Sequence, residues 1–424
     1  MVEKGKSDPE TLLVTMLGAE GGLARLEGLL AGDSRLAKLW SSQAILVEAV
    51  RCVSLEDVRI RESDLFLRVS SGRTTEIDAR GAETAMNIMR LLQRSPDITS
   101  DPAGVIRMLE RELRLRPPSI DPDERYPMEG LSDSTLNEVV EEGRAYKHTP
   151  VIAALRVATR YSRETDGISP PVERVVMALV DSTLRNMRSD PDPVDDHTTL
   201  DPIAELGRPG RLTPVCLPAT ALAWSGSSAW SLRNTGGLLR CLQALRDHAR
   251  RELGAIGVLR HWIMRMDGLR EDVHGRSNLG ALLDLILEQP VLTSRIVVER
   301  IGVSRRSAIN LLNLATEHGM LKVLTNRRAA RIWGTPMMVE RLRVTHAAPA
   351  VTSSTIPDRP APSGTWAEEQ HSLRGQPLRE QSQQAVQDAL DALDAALVTA
   401  DELIARSKTH ARWHGDEASP FGDE

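Results

Sequence analysis

The chain has 424 residues, 41% of them apolar and only 3% aromatic, with a net charge of −6. This length suits two or three domains, and a core with so few aromatics must be filled by Leu, Ala, Val and Ile, which favours helices over sheets. The three cysteines (Cys52, Cys216, Cys241) are far apart and form no C-x-x-C, the N-terminus is polar, and no 18-residue apolar run occurs. These features argue against a disulfide framework, a cysteine zinc site, a signal peptide and a membrane span, and lead us to expect a reduced, cytoplasmic protein.

From Asp8 to about Val69 the pattern is helical. Leu12, Leu13, Met16 and Leu17 form one apolar group, Leu23, Leu26, Leu29 and Leu30 continue it after an expected break at Gly21-Gly22, and Trp40–Val50 forms another striped helix. Two helices, Ala82–Leu92 and Pro102–Leu113, are expected on either side of Ser95-Pro96. Residues 116–135 and 189–215, rich in Pro and Asp, read as loops. Helices are predicted at Pro150–Arg160 and Pro171–Leu184, each beginning at or just after proline, and Leu239–Met266 predicts a long one.

Residues 279–334 carry the most specific local pattern. Leu279–Glu288 is an apolar helix, and Thr293 or Ser294 can cap the next, Arg295–Arg300. Gly302 suits a left-handed turn, Val303 points to the core, and Ser304 caps a helix from Arg305 to about His318. Ala308, Ile309, Leu312 and Ala315 or Thr316 face inward, while Arg305, Arg306, Ser307 and Asn310 face outward. After Gly319, Leu321–Leu324 and Ala330–Trp333 read as a hairpin turning at Thr325–Arg328. Helix, turn, helix and hairpin in that order predict a winged helix-turn-helix whose second helix enters a major groove and whose basic tip reaches phosphate. Residues 291–345 hold ten Lys/Arg and three Asp/Glu, a net +7, which leaves the remainder at about −13. The expected DNA contacts are Ser304, Arg305, Arg306, Ser307, Asn310, Arg327, Arg328 and Arg331. The alternative is a winged helix that contacts protein.

Beyond this module lie a Pro/Ser/Thr-rich linker (346–375), an amphipathic helix (376–408) and a polar tail (409–424). In that helix Val386, Leu390, Leu393, Leu397, Ala400 and Ile404 recur at spacings of 4, 3, 4, 3, 4, a heptad seam. It suits self-association or a protein partner, or a helix that packs back on its own body.

The order of blocks over residues 10–335 resembles Fic-type proteins, the adenylyl-transfer fold, and more closely a bacterial helix-turn-helix family with a degenerate Fic-like body. Glu48 to Asp57 is similar to the family's E-A-x-x-S-S-x-I-E-G stretch, with Cys52 and Asp57 in place of serine and glycine. The resemblance makes Glu56 the counterpart of an inhibitory glutamate, hence a regulatory relic or an ordinary surface or capping carboxylate. Working enzymes carry H-P-F-x-x-G-N-G-R; the ungapped counterpart is Arg163 to Pro171, and a looser one runs from Asp201 to Arg211. Neither has the base histidine, and the ungapped one also lacks the phosphate-binding glycines and arginine, so the resemblance implies a catalytically inactive scaffold.

No P-loop, dinucleotide fingerprint or nucleophile elbow is present, and His410 and His414 pair at i, i+4 without a third ligand. The sequence thus predicts a mainly α-helical protein: an N-terminal helical segment (1–70), a Fic-like body (71–275) and a winged helix-turn-helix (276–345), then linker and amphipathic helix. The expected function is a homodimeric DNA-binding transcriptional regulator using no cofactor or metal. A divergent nucleotidyl-transfer enzyme and a partner-binding scaffold are the alternatives.

Overall fold

The computed structural model describes residues 9–56, 58, 60, 79–113, 131–167, 169–189, 214–226, 230–272, 278–325 and 331–343. They are mainly helical, with thirteen α-helices and three short strands. The helices are α1 (Pro9–Ala31), α2 (Ser34–Ser54), α3 (Ala79–Arg94), α4 (Pro102–Leu113), α5 (Asp133–Arg144), α6 (Pro150–Glu164), α7 (Pro170–Ser189), α8 (Pro218–Trp224), α9 (Thr235–Asp272), α10 (Leu279–Glu288), α11 (Ser294–Ile301), α12 (Arg305–Glu317) and α13 (Pro336–Arg343). The strands are β1 (Val291–Leu292), β2 (Lys322–Val323) and β3 (Trp333–Gly334).

The expected break at Gly21-Gly22 does not occur: α1 runs unbroken for 23 residues. A Cβ on Gly22 would lie 2.9 Å from that of Ala249, so the missing side chain brings α1 close to α9 instead of ending the helix. Leu12, Leu13 and Met16 are buried as expected, whereas Leu17 points to solvent. Ser95, with φ 42°, ends α3 at the predicted break, and its hydroxyl bonds that of Ser182.

Buried ionic groups link helices far apart in sequence. Glu48 of α2 is buried and accepts from the backbone N–H groups of Ala219 and Thr220 at 2.9 and 2.7 Å, satisfying free donors at the start of α8. Arg185 of α7 pairs with Asp181 on its own helix and reaches Glu20 and Glu27 of α1.

Segment 279–343 is fixed to this body at several points. Gln43 of α2 donates to the Thr335 hydroxyl (3.1 Å), and Ser42 donates to the Leu287 carbonyl (3.2 Å). On α9, buried Glu252 accepts from Trp40 Nε1 (2.7 Å) and from Arg341 of α13 (2.5 Å). Burial would raise the Glu252 carboxyl, but Arg341 and then His248 hold it below the usual range. His248, one turn earlier, has no hydrogen-bond partner on either ring nitrogen among the described residues. Burial lowers its pKa to about 4, so it is neutral near pH 7.

Candidate nucleic-acid interface

Segment 291–334 is built as its sequence dictates. The Thr293 side chain accepts from Ile296 N to start α11, and Gly302 ends that helix at φ 76°, ψ 25°, a left-handed position suited to glycine. Val303 is half-buried against the core, and Ser304 Oγ accepts from Ser307 N to start α12. Ala308, Leu312 and Ala315 are buried, with Ile309 and Thr316 half-buried beside them. Gly319, at φ 71°, closes the helix.

The strands are shorter than expected, and the return strand starts three positions later and ends one later, at Trp333–Gly334. It belongs to a three-stranded antiparallel sheet with order β1-β3-β2. Val291 pairs with Gly334 and Leu292 with Trp333 on one side of β3, and Lys322 and Val323 face the same residues on the other. Strand β1 had no sequence signal: two apolar residues after Pro290 show no period.

Among the residues expected at DNA, Arg305, Arg306 and Asn310 are exposed on α12, and none of their side chains makes an ion pair or hydrogen bond among the described residues. Arg331 is exposed beside β3. Ser304, the expected cap, and Ser307, on the outward face, are both exposed. Their Oγ atoms lie 2.9 Å apart and bond each other, because the cap geometry of α12 brings them together. Arg327 and Arg328 lie outside the described residues.

Two further residues that the sequence reading did not single out bear on α12. Asn313 is half-buried and continues the row of Arg306 and Asn310 at i+7 and i+3, a spacing that could have revealed it. Arg265 of α9 donates to the His318 carbonyl at 3.1 Å, anchoring the C-terminal end of α12 to the body. A contact across 53 residues leaves no local pattern.

The second place of interest is the corner between α6 and α7, which contains the ungapped counterpart of the transfer loop. Asp166 and Gly167 turn the chain with φ 54° and 69°. Glu56 is not a free surface carboxylate. It pairs at 2.5 Å with Arg174 of α7, whose fully buried guanidinium also donates to the Cys52 carbonyl and sulfur at 2.8 and 3.3 Å. The Trp230 ring lies 5.5 Å from the Arg174 guanidinium carbon, and its Nε1 donates to Glu173. Burial pushes the Cys52 thiol up to about 11, so near neutrality it carries a proton and is a poor nucleophile.

No family profile and no curated protein matches the chain. The fold comparison is with a crystal structure of a Fic family protein from Desulfovibrio desulfuricans G20. That structure is 13% identical, at a TM-score of 0.32, over 77% of this chain and 96% of the other. Among the described residues no group of three or more His, Cys, Asp and Glu could hold a metal ion, and no described helix is long and apolar enough to cross a membrane.

Proposed function

We propose that residues 279–343 form a winged helix-turn-helix that binds double-stranded DNA and acts in transcriptional regulation. One observation carries this reading. Arg305, Arg306 and Asn310 project from the first turns of α12, away from its buried face, and are unengaged among the described residues. In a major groove, arginine donates two hydrogen bonds to guanine and asparagine pairs with adenine. Lys322, Arg331 and the wing residues Arg327 and Arg328 would hold phosphate and set the register. The local net charge of +7 inside an acidic chain supports the assignment.

In this reading the helical body is a scaffold rather than an enzyme. Segment 163–171 brings no histidine to serve as a base and no glycine run to cradle phosphate. Arg174 is committed to Glu56 and Cys52, and the Glu56 pair closes the end of α2 onto α7.

The test is a titration of the full chain with duplex DNA beside Arg305→Ala/Arg306→Ala. Loss of affinity with unchanged thermal unfolding supports the reading; equal affinity of both proteins refutes it.

A further inference from the structure

Helix α9 is buried on one side from Leu238 to Leu269, and its opposite face around Gly254–Gly268 is exposed among the described residues. Val258 and Met264 are 59% and 70% exposed on it, among the most exposed large apolar residues described. Gly254, Gly257, His261, Met264 and Gly268 follow one another at spacings of 3, 4, 3 and 4, the same heptad rhythm as segment 386–404. A Cβ on Gly254, Gly257 or Gly268 would meet nothing within 4 Å, so a second helix can approach the backbone closely there.

Charge and connectivity name the occupant. Between Asp247 and Asp267 the only carboxylate is Glu252, which is buried, whereas Arg250, Arg251, Arg260 and Arg265 are exposed. Arg250 also pairs with Asp247, Arg251 lies over the Trp224 ring and Arg265 holds the His318 carbonyl, and each keeps further donors facing solvent. Segment 386–404 is the complement: five Asp/Glu, no Lys/Arg, and Asp394 and Asp401 directly beside its seam. The chain also leaves the described fold at α9. Arg341, two residues before the end of α13, is bonded to Glu252, the α9 residue two positions before Gly254. Residues 344–385 then connect to the seam, and 42 residues are more than enough chain to reach back to α9 within one molecule.

We propose that segment 386–404 of the same chain docks as a helix on the outer face of α9, its apolar seam over Val258 and Met264 and its aspartates against the α9 arginines. This docking is independent of the DNA reading, because it uses none of the α12 side chains.

The test places the photo-crosslinking amino acid p-benzoylphenylalanine at exposed position 264 of the full chain, with the same group at exposed Val14 of α1 as control. The expected result is a crosslink from position 264 into residues 386–404 at monomer mass, absent from position 14 and abolished in Leu393→Asp/Leu397→Asp. Hydrogen exchange supplies a second readout. Val258→Asp/Met264→Asp should speed exchange in 386–404 at least tenfold and leave the amides of Leu259 and Trp262 unchanged. Failure to crosslink into the segment overturns the proposal, as does a crosslink found only at dimer mass, which would make the seam a contact between copies. Unchanged exchange in the α9 variant overturns it equally.

Discussion

The arginines of the helical body and those of α12 are the same residue type in opposite circumstances. Arg174 and Arg185 are buried, and each is bound by fixed acceptors: Cys52 and Glu56 of α2 and its end for the first, Asp181 on its own helix and Glu20 and Glu27 of α1 for the second. Arg305 and Arg306 are exposed and unengaged among the described residues. A buried guanidinium has exchanged its hydration for fixed partners and is committed to stability. An exposed one keeps its hydration and remains available to a phosphate or a base edge. Burial therefore separates the committed arginines from the available ones in a chain whose composition does not distinguish them.

The largest effect that would break this comparison is on folding. Arg185→Ala leaves three carboxylates facing one another without their cation and should cost about 3–5 kcal/mol in urea unfolding, with Arg174→Ala of similar size. A loss below about 1 kcal/mol for both would mean the buried pairs are not structural.

The next effect is pH dependence. The folded pKa of His248 is about 4, below the unfolded value of 6.5. The unfolded state then binds more protons between these values, so stability falls as pH drops through 6.5 and levels off near 4. Between pH 8 and pH 5 the loss should be about 2 kcal/mol, and His248→Leu should remove most of it. Glu252, with its pKa lowered, adds a loss in the same direction only at more acidic pH. A flat profile in the wild type would contradict the buried neutral imidazole.

Smaller still, Ser304→Ala removes the cap of α12 and should cost about 1 kcal/mol, while Ser304→Asp should retain most of it. Smallest of all, Arg305→Ala/Arg306→Ala should change stability by less than about 0.5 kcal/mol, measured in the same urea series. A large loss there would place these arginines with the structural set.

Local chemistry made segment 279–334 the most legible part of the sequence. The bounds of α10 follow from an apolar run ended before Pro290, and Thr293, Gly302 and Ser304 each announce a cap that the fold uses. The helical character of the body is legible for the same reason, in periodic Leu, Ala and Val. The ion pair of Arg174 with Glu56 joins residues 118 positions apart and leaves no periodic trace. Gly21-Gly22 reads locally as a break, and only the neighbouring Ala249 explains why glycine sits inside a helix. Strand β1 is defined by its partner β3, not by its own two residues. The mutual bond of Ser304 and Ser307 also depends on a geometry that outward-face counting omits.

Duplex DNA binding by α12 and its wing is tested most directly by titrating the full chain with pooled random duplexes at about 50 and 200 mM salt. A variant with Arg305, Arg306, Arg327 and Arg328 all changed to alanine is measured beside it. Wild-type affinity should fall by roughly a hundredfold or more across that range, and the variant should bind weakly with a salt slope shallower by about one for each phosphate it no longer neutralises. Binding by neither protein at the lower salt, or equal binding by both at each salt, would contradict DNA recognition by this module.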